Sequence, residues 1–417
     1  MSEIIIVGGG AAGLMAGVIA SDNGANVTII EKNEKLGKKL FITGKGRCNV
    51  TNACDIDQLF SNIVTNSKFM YSSIYSFNNY QVMGMVEEMG CPLKIERGDR
   101  VFPESDKSSD IIKAFEKRLK QNNVRILLNT KVLAVEEKDG VFSKVIIADK
   151  NGNRTSIKGD QCIVATGGVS YKSTGSTGDG YEFAKRLGHN VVNPTPGLVP
   201  FNIKGGECKD LMGLSLKNVN VKVSVDSKVV GEEFGEMLFT HFGMSGPCIL
   251  TLSSIISGKH TGKGKKIDVI IDLKPALNNE QLENRLIRDF ELNQNKHFCN
   301  ALDKLLPKSI IPLVIKRTGI SGEKPVNAIT KKEREIIVHT LKNLTFAFES
   351  FRDINEAIIT KGGVNVKEIN PKTMESKLVN GLYFAGEILD VDGFTGGFNL
   401  QIAWSSAYCA AIAASSY

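Results

Sequence analysis

EIIIVGGGAAG, residues 3–13, is the stretch that decides the fold. An apolar run ends at Gly8, and Gly8, Gly10 and Gly13 make a G-x-G-x-x-G that opens a helix-like stretch. A second apolar run, NVTIIE, ends in Glu31. Each glycine has a separate reason: a tight strand-to-helix turn at Gly8, close backbone approach to a pyrophosphate at Gly10, and helix-on-strand packing at Gly13. The helix N-terminus, with Ala11 and Ala12 in its first turn, offers free N–H groups and partial positive charge to phosphates. Glu31 is placed to accept hydrogen bonds from an adenosine ribose, with Lys32 beside it. Strand, helix, second strand and terminal acid in register predict a βαβ unit that binds a dinucleotide.

The other end of the chain decides which dinucleotide. GLYFAGEILDVDGFTGGFNLQIA, residues 381–403, reads as an apolar strand running into Gly386-Glu387, a glycine-rich turn, and an apolar helix starting near Asn399. An NAD domain needs no second phosphate-facing turn hundreds of residues away. FAD does, because its ribityl chain and flavin ring extend beyond the pyrophosphate. QCIVATGG, residues 161–168, adds a buried strand ending in an Ala-Thr-Gly turn, with Thr166 and Gly167 passing under the cofactor. The helix start after Gly397 (Phe398, Asn399, Leu400) points its N–H groups at the pyrimidine edge of the flavin, where hydride arrival puts negative charge. Val132 is counted with these FAD contacts. The FAD is expected to be held non-covalently.

Composition bounds the rest. A chain of 417 residues with 42% apolar content suggests two or three domains with real cores. No run of about 18 apolar residues occurs, so no membrane span is expected. The chain enters a strand at once, so no signal peptide is expected and the place read for it is cytoplasmic. Eight cysteines are scattered without a C-x-x-C, and the closest pair, Cys48 and Cys54, lacks the spacing of flavin disulfide reductases. No metal-ligand spacing is visible, nor a G-x-S-x-G or triad order. The net charge of +7 permits an anionic partner. Basic clusters at 35–47, 258–266 and 331–334 are each read first as solvated faces.

Organisation along the chain is equally legible. SSDIIKAFEKRLKQ, residues 108–121, places Ile112, Phe115 and Leu119 at helical spacing, with Ser109 or Asp110 as N-cap. A strand follows at 124–128, then three alternating segments from 131 to 158, punctuated by Asp139-Gly140 and Asn151-Gly152, which predict a β-meander. PTPGLVP, residues 194–200, marks a boundary. Residues 201–273 alternate like an antiparallel barrel or sandwich, and 278–320 look helical. The expected architecture is α/β: a discontinuous Rossmann-like FAD-binding domain (1–193 and 344–417), an inserted β-barrel-like domain (194–277 and 322–343) and a small helical insert (278–321). No second G-x-G-x-x-G follows a strand, so NAD(P)H is expected to visit the flavin transiently as electron donor.

GKKLFITGKGRCNVTN, residues 37–52, is not explained by packing. It reads as a loop along the pyrophosphate and ribityl chain, with Lys39, Thr43 and Gly44 near phosphate or ribityl oxygens. Arg47, Cys48 and Asn49 then stand near the flavin ring. Cys48 has two readings, a proton donor beside the flavin or a small buried filler. His241, in LFTHFGMSGPC (238–248), is either an acid/base group or a structural histidine.

Taken together, IVGGGAAGLMAG, KKLFITGKGRCNVTN, RVFPESDKSSD, ATGG, STGDGYEFAKRLGH, LFTHFGMSGP, TKGGV and GLYFAGEILDVDGFTGGFNLQIA resemble the BaiN/RdsA-like (YhiN-like) NAD(P)/FAD-dependent oxidoreductases. The resemblance implies a Rossmann-like FAD domain interrupted by a β-barrel and a small helical insert. It also implies flavin-mediated reduction of a conjugated C=C bond, with one branch similar to ribosomal RNA dihydrouridine synthases and another named for bile-acid enone reduction. In either, hydride reaches a β-carbon and a proton the α-carbon; in uridine these are C6 and C5. The mildly basic balance favours 23S ribosomal RNA as partner. A small-molecule enone reductase and a flavin-bearing sensor without turnover are the alternatives.

Overall fold

Five short strands form a parallel sheet in the order Leu382–Phe384, Gln161–Val164, Glu3–Val7, Asn26–Ile30, Arg125–Leu127. The computed structural model describes residues 2–257, 262 and 264–416. Ile4, Ile5, Ile6 and Val7 are all buried, as are Cys162, Ile163 and Val164. Strands covered on both faces carry unbroken apolar runs rather than alternation. From Glu3–Val7 the chain builds outward first to one side and later to the other. The switch point, where ligands bind in open α/β sheets, therefore lies at the carboxyl ends of Glu3–Val7 and Gln161–Val164.

The helix Ala11–Asp22 is buried continuously from Ala12 to Ala20. It packs on the sheet, on the helix Ser108–Gln121 and on the C-terminal helix Phe398–Ser415. The C-terminal helix is buried on most sides too, and its Trp404 stacks on Phe115 and donates to the Val50 carbonyl at 2.9 Å. Antiparallel strands Lys131–Lys138, Val141–Ala148 and Arg154–Lys158 form the meander. The helix Ser108–Gln121 corrects one detail: Lys107 is its N-cap and makes no side-chain cap, while the Ser108 hydroxyl donates to the Phe41 carbonyl. Residues 51–103 carry a small antiparallel sheet (Thr51–Asn52, Leu93–Glu96, Arg100–Pro103) and short helices. These elements are too brief for their periodicity to show in sequence.

The chain divides into two compact units, 1–197 with 354–417, and 198–353. In the second, six antiparallel strands close a barrel: Phe201–Ile203, Gly243–Ser245, Lys228–Thr240, Ser215–Val225, Ile267–Asp272 and Leu344–Phe351. Val219, Val221 and Val223 alternate inward, the period-two pattern of a strand with one buried face. Helices Asn279–Glu291, Ile311–Thr318 and Lys331–Lys342 pack together. The expected return to the first domain at residue 344 comes instead at 354. Leu344–Phe351 pairs with both Ile267–Asp272 and Phe201–Ile203 and is needed to close the barrel. Residues 331–342, assigned above to the barrel-like domain, form a helix packed on the other two.

His189 in the first unit is 3% exposed, with Nε2 2.9 Å from the Ser376 hydroxyl and Nδ1 3.3 Å from a Glu368 oxygen. Burial lowers its pKa despite that carboxylate. Below about pH 6.5 the unfolded chain therefore takes up this proton first, and stability falls as pH drops. In His189→Gln, thermal midpoints measured between about pH 7 and 5 are expected to fall less steeply than in the parent. Parallel curves would assign the acid sensitivity elsewhere.

Candidate functional site

At the switch point the glycine turn does three different jobs. Gly8 has φ +104°, and a Cβ there would lie 2.6 Å from the Ala165 carbonyl oxygen of the neighbouring strand end. A Cβ at Gly13 would lie 1.8 Å from the Gly8 carbonyl oxygen. A Cβ at Gly10 would meet nothing within 4 Å. Gly10 is thus free of packing duty, and the space before it is open. Gly10 caps the helix Ala11–Asp22, whose first backbone bond inside the helix is Leu14 N–H to Gly10 C=O. The amides of Ala11, Ala12 and Gly13 precede that bond and face the opening. The Thr166 hydroxyl oxygen is buried with no hydrogen-bond partner and faces Gly180, where a Cβ would lie 2.1 Å from it. A cradle with room before Gly10 and free amides at a helix start fits a pyrophosphate.

Glu31 is 8% exposed. One carboxylate oxygen accepts from Gly9 N–H at 2.8 Å, the other from the Asn33 amide and side-chain nitrogens at 2.8 and 2.7 Å. A carboxylate has about four acceptor sites, so one remains for a ribose hydroxyl. Glu31 is therefore also a strut that holds the glycine turn to the second strand. Lys32 donates to Asp179 and to Thr177. Val132 is buried at the start of the meander.

The second crossing is held by a polar network. Lys39 donates to Ser170 and Glu387; Glu387 accepts from the Ser170 hydroxyl and the Thr360 amide; the Thr360 hydroxyl accepts from the Val169 and Ser170 amides. The network joins the segment after Gly167, the segment after Gly386 and the start of the 37–52 stretch. Lys39 thus sits in an ion pair, at a place the sequence reading put near phosphate. Ser170 and Thr360 were not singled out in sequence. TKGGV, which contains Thr360, signals only its glycines, whereas its hydroxyl does the bonding. Gly386 approaches the N-terminal helix closely, a Cβ there lying 2.8 Å from that of Ala12.

Gly397, at φ +103°, caps the C-terminal helix, and a Cβ there would overlap the Thr51 backbone at 2.4 Å. Gln401 N–H to Gly397 C=O is the first bond inside this helix, so the amides of Phe398, Asn399 and Leu400 precede it. The Asn399 side chain is a staple, accepting from Gly393 N–H and donating to the Gly393 and Phe394 carbonyls. Its role here is to shape the loop, while its backbone amide stays at the helix start.

The 37–52 stretch is more structural than its composition suggests. Gly44 and Lys45 are left-handed, and the Thr43 hydroxyl donates back to Leu40 C=O. Arg47 is held between Glu96 and Asp106 over the Phe102 ring. The Asn49 side chain accepts from Val101 N–H. Cys48 is 0% exposed, and burial pushes its thiol up to about 12, with Thr43 pulling weakly the other way. This environment is that of a buried filler. Cys48→Ala is expected to cost about 1–2 kcal/mol of stability and to leave product formation within about threefold, against the 10²–10⁴-fold loss of a removed proton donor. Turnover with and without the substitution decides between them.

His241 lies in the second unit, exposed, in the turn after Lys228–Thr240, its ring against Phe242. Residues 258–261 and 263 of the basic run 258–266 lie outside the described residues. In the run 331–334, Glu333 caps its own helix and pairs with Lys324, while Arg334 faces Glu283. In the run 35–47, Lys38, Lys39 and Arg47 are all paired within the chain. All eight cysteines are free thiols. Among the described residues no cluster of three or more His, Cys, Asp or Glu is arranged to hold a metal, and no helix is long and apolar enough to cross a membrane.

Fold and site together define the class, a Rossmann-type flavin-dependent oxidoreductase. Within it, residues 2–413 match the HI0933-like protein Rossmann domain, and the chain belongs to that family. It is 30% identical over 416 residues to the 3-dehydro-bile acid delta(4,6)-reductase of Clostridium scindens, covering 99% of both chains. It is likewise 30% identical over 414 residues to the ribosomal RNA dihydrouridine synthase of Haemophilus influenzae, covering 99% of this chain and 98% of the relative. Among solved structures, the 3-ketosteroid delta1-dehydrogenase of Sterolibacterium denitrificans shares the fold at a TM-score of 0.55, with 11% identity and full coverage of both chains.

Proposed function

We propose that this protein uses FAD, replenished by NAD(P)H, to reduce a conjugated C=C bond, and that the bond is in uridine of 23S ribosomal RNA. The observation that carries the reading is full-length similarity, spanning both glycine crossings, to an enzyme named for dihydrouridine synthesis in ribosomal RNA. When bound, FAD supplies the hydride. The amides of Ala11, Ala12 and Gly13 hold the pyrophosphate. Glu31 gives its remaining acceptor site to the ribose. The amides of Phe398, Asn399 and Leu400 favour negative charge at the pyrimidine edge, which makes hydride acceptance easier. Cys48 has no exposed surface, which supports a proton for C5 that comes from another group or from water.

The net charge of +7 favours a polyanionic substrate. The ion pairs of residues 35–47 leave that argument resting on the whole molecule rather than on one patch. The second reading, a small-molecule enone reductase, is supported by equal identity to the bile-acid enzyme. Mass-spectrometric nucleoside analysis of 23S rRNA from cells with and without the gene separates them. Loss of a dihydrouridine on deletion, restored by the intact gene, supports the RNA reading. Unchanged rRNA, with NAD(P)H oxidation driven by soluble conjugated ketones, overturns it in favour of the second.

A further inference from the structure

The loop between Glu387 and the C-terminal helix contains a carboxylate that nothing above uses. Asp392 is 1% exposed, and neither of its carboxylate oxygens has a hydrogen-bond partner. Its place is fixed from two sides. Asp392–Gly393 pairs antiparallel with Ile63–Thr65, Asp392 opposite Thr65. Gly393 is the residue stapled by Asn399 at the first turn of the C-terminal helix. The carboxyl is thus held one residue from the loop clamp that sets the helix N-terminus.

The charged and titratable groups around it are few. Asp390, two residues earlier, is 9% exposed and accepts from the Asn66 side chain at 3.1 Å. Lys361, on the strand Ile359–Val364, acts on both carboxyls. Tyr181, on the helix Asp179–Arg186, lies near enough to feel Asp390. Thr65 and Asn66 on the paired segment, and Phe398 on the helix, carry no charge. Burial raises both aspartates, Asp390 against Asn66 and Lys361, Asp392 against Thr65 and Lys361. An ionised carboxylate supported by no more than the Thr65 side chain is costly in such a place, and a further negative charge nearby makes its neutral form more favourable still.

We propose that Asp392 is a redox-linked proton site and a positioning residue of the flavin site, its carboxylate gaining a proton when negative charge arrives on the flavin. The balance is simple. Two electrons and one proton enter the cofactor as hydride and leave one added negative charge; the Asp392 carboxylate takes one proton from solvent and becomes a carboxylic acid. Reoxidation returns the proton to solvent. The inference rests on the flavin site proposed above and is independent of the substrate.

The test is proton uptake on anaerobic reduction of the FAD-loaded protein with dithionite, read with a pH-indicator dye in weak buffer and corrected with free FAD. Over about pH 5–8 the parent protein is expected to take up more protons than Asp392→Asn, the difference approaching one per flavin at its maximum. Equal uptake at every pH, with FAD bound to both, overturns the proposal. A purified protein that binds no FAD overturns the flavin-site reading instead. If Asp392→Asn does not fold, infrared difference spectra of Asp390→Asn protein with ¹³C-carboxyl-labelled aspartate keep the question open to decision. A label-sensitive carboxylic acid band that grows on reduction supports Asp392, and its absence overturns it.

Discussion

Gly10→Val is expected to fold and to purify without flavin. The backbone at Gly10 has φ −81° and ψ −165°, an extended conformation that a β-branched residue adopts readily. Its Cβ would meet no protein atom within 4 Å, so the cost to the chain is the loss of a tolerable helix N-cap, about 1 kcal/mol. The volume filled is the one the pyrophosphate needs. An FAD affinity loss of about a hundredfold or more, some 3 kcal/mol, follows. Gly13→Ala supplies the contrast: its Cβ would overlap the Gly8 carbonyl, so it is expected to lose stability and flavin together. Flavin absorbance per protein and the thermal midpoint of the apoprotein read both effects. A Gly10→Val protein with full flavin content would show that the pyrophosphate does not lie before this helix.

Glu31→Ala is expected to lower both FAD affinity and the stability of the apoprotein. Three donors, Gly9 N–H and the two Asn33 nitrogens, lose their acceptor. Orphaned buried donors cost about 1–3 kcal/mol each; Asn33 is partly exposed and recovers some of this from water, so a loss of about 2–4 kcal/mol is expected from the apoprotein. Loss of the ribose acceptor adds a further drop in FAD affinity of about tenfold to a hundredfold. Glu31→Gln keeps one acceptor oxygen and is expected to fall between. Denaturant unfolding of flavin-free protein, beside FAD titration, separates strut from ligand. Unchanged apoprotein stability sinks the strut, and unchanged FAD binding sinks the ribose contact.

What the sequence made legible follows the length scale of each signal. The glycine turn, Glu31 and the C-terminal glycine segment are local patterns with local causes, and the parallel sheet and barrel follow from long apolar runs and alternation. The Leu344–Phe351 strand was misplaced because an alternating segment does not say which sheet it joins; only pairing with Phe201–Ile203 and Ile267–Asp272 decides that. The internal partners of the 37–52 stretch were hidden for a related reason. Arg47 and Lys39 look like free cations when their carboxylates, Glu96, Asp106 and Glu387, lie 49 to 348 residues away. The segment that carries Cys48 is covered by a strand that arrives later in the chain, Val50 N–H bonding the Val101 carbonyl. Ser170, Thr360 and Asp392 acquire meaning only from partners, or the lack of them, in three dimensions.

The packing of Ala11–Asp22 against Phe398–Ser415 has a consequence in time. The first helix leaves the ribosome well before the surface it rests on, which lies several hundred residues later in the chain. At about 5–20 residues per second, synthesis of the intervening chain takes on the order of tens of seconds. Once Leu344–Phe351 has been made the barrel unit can close, whereas the nucleotide cradle still has an uncovered apolar flank. The helix start after Gly397 is still missing as well. A nascent chain cut short by a stop codon anywhere before the final helix therefore carries the whole glycine fingerprint yet exposes apolar surface in place of a cofactor site. Cofactor capture in this architecture reports that translation has run to the C-terminal helix.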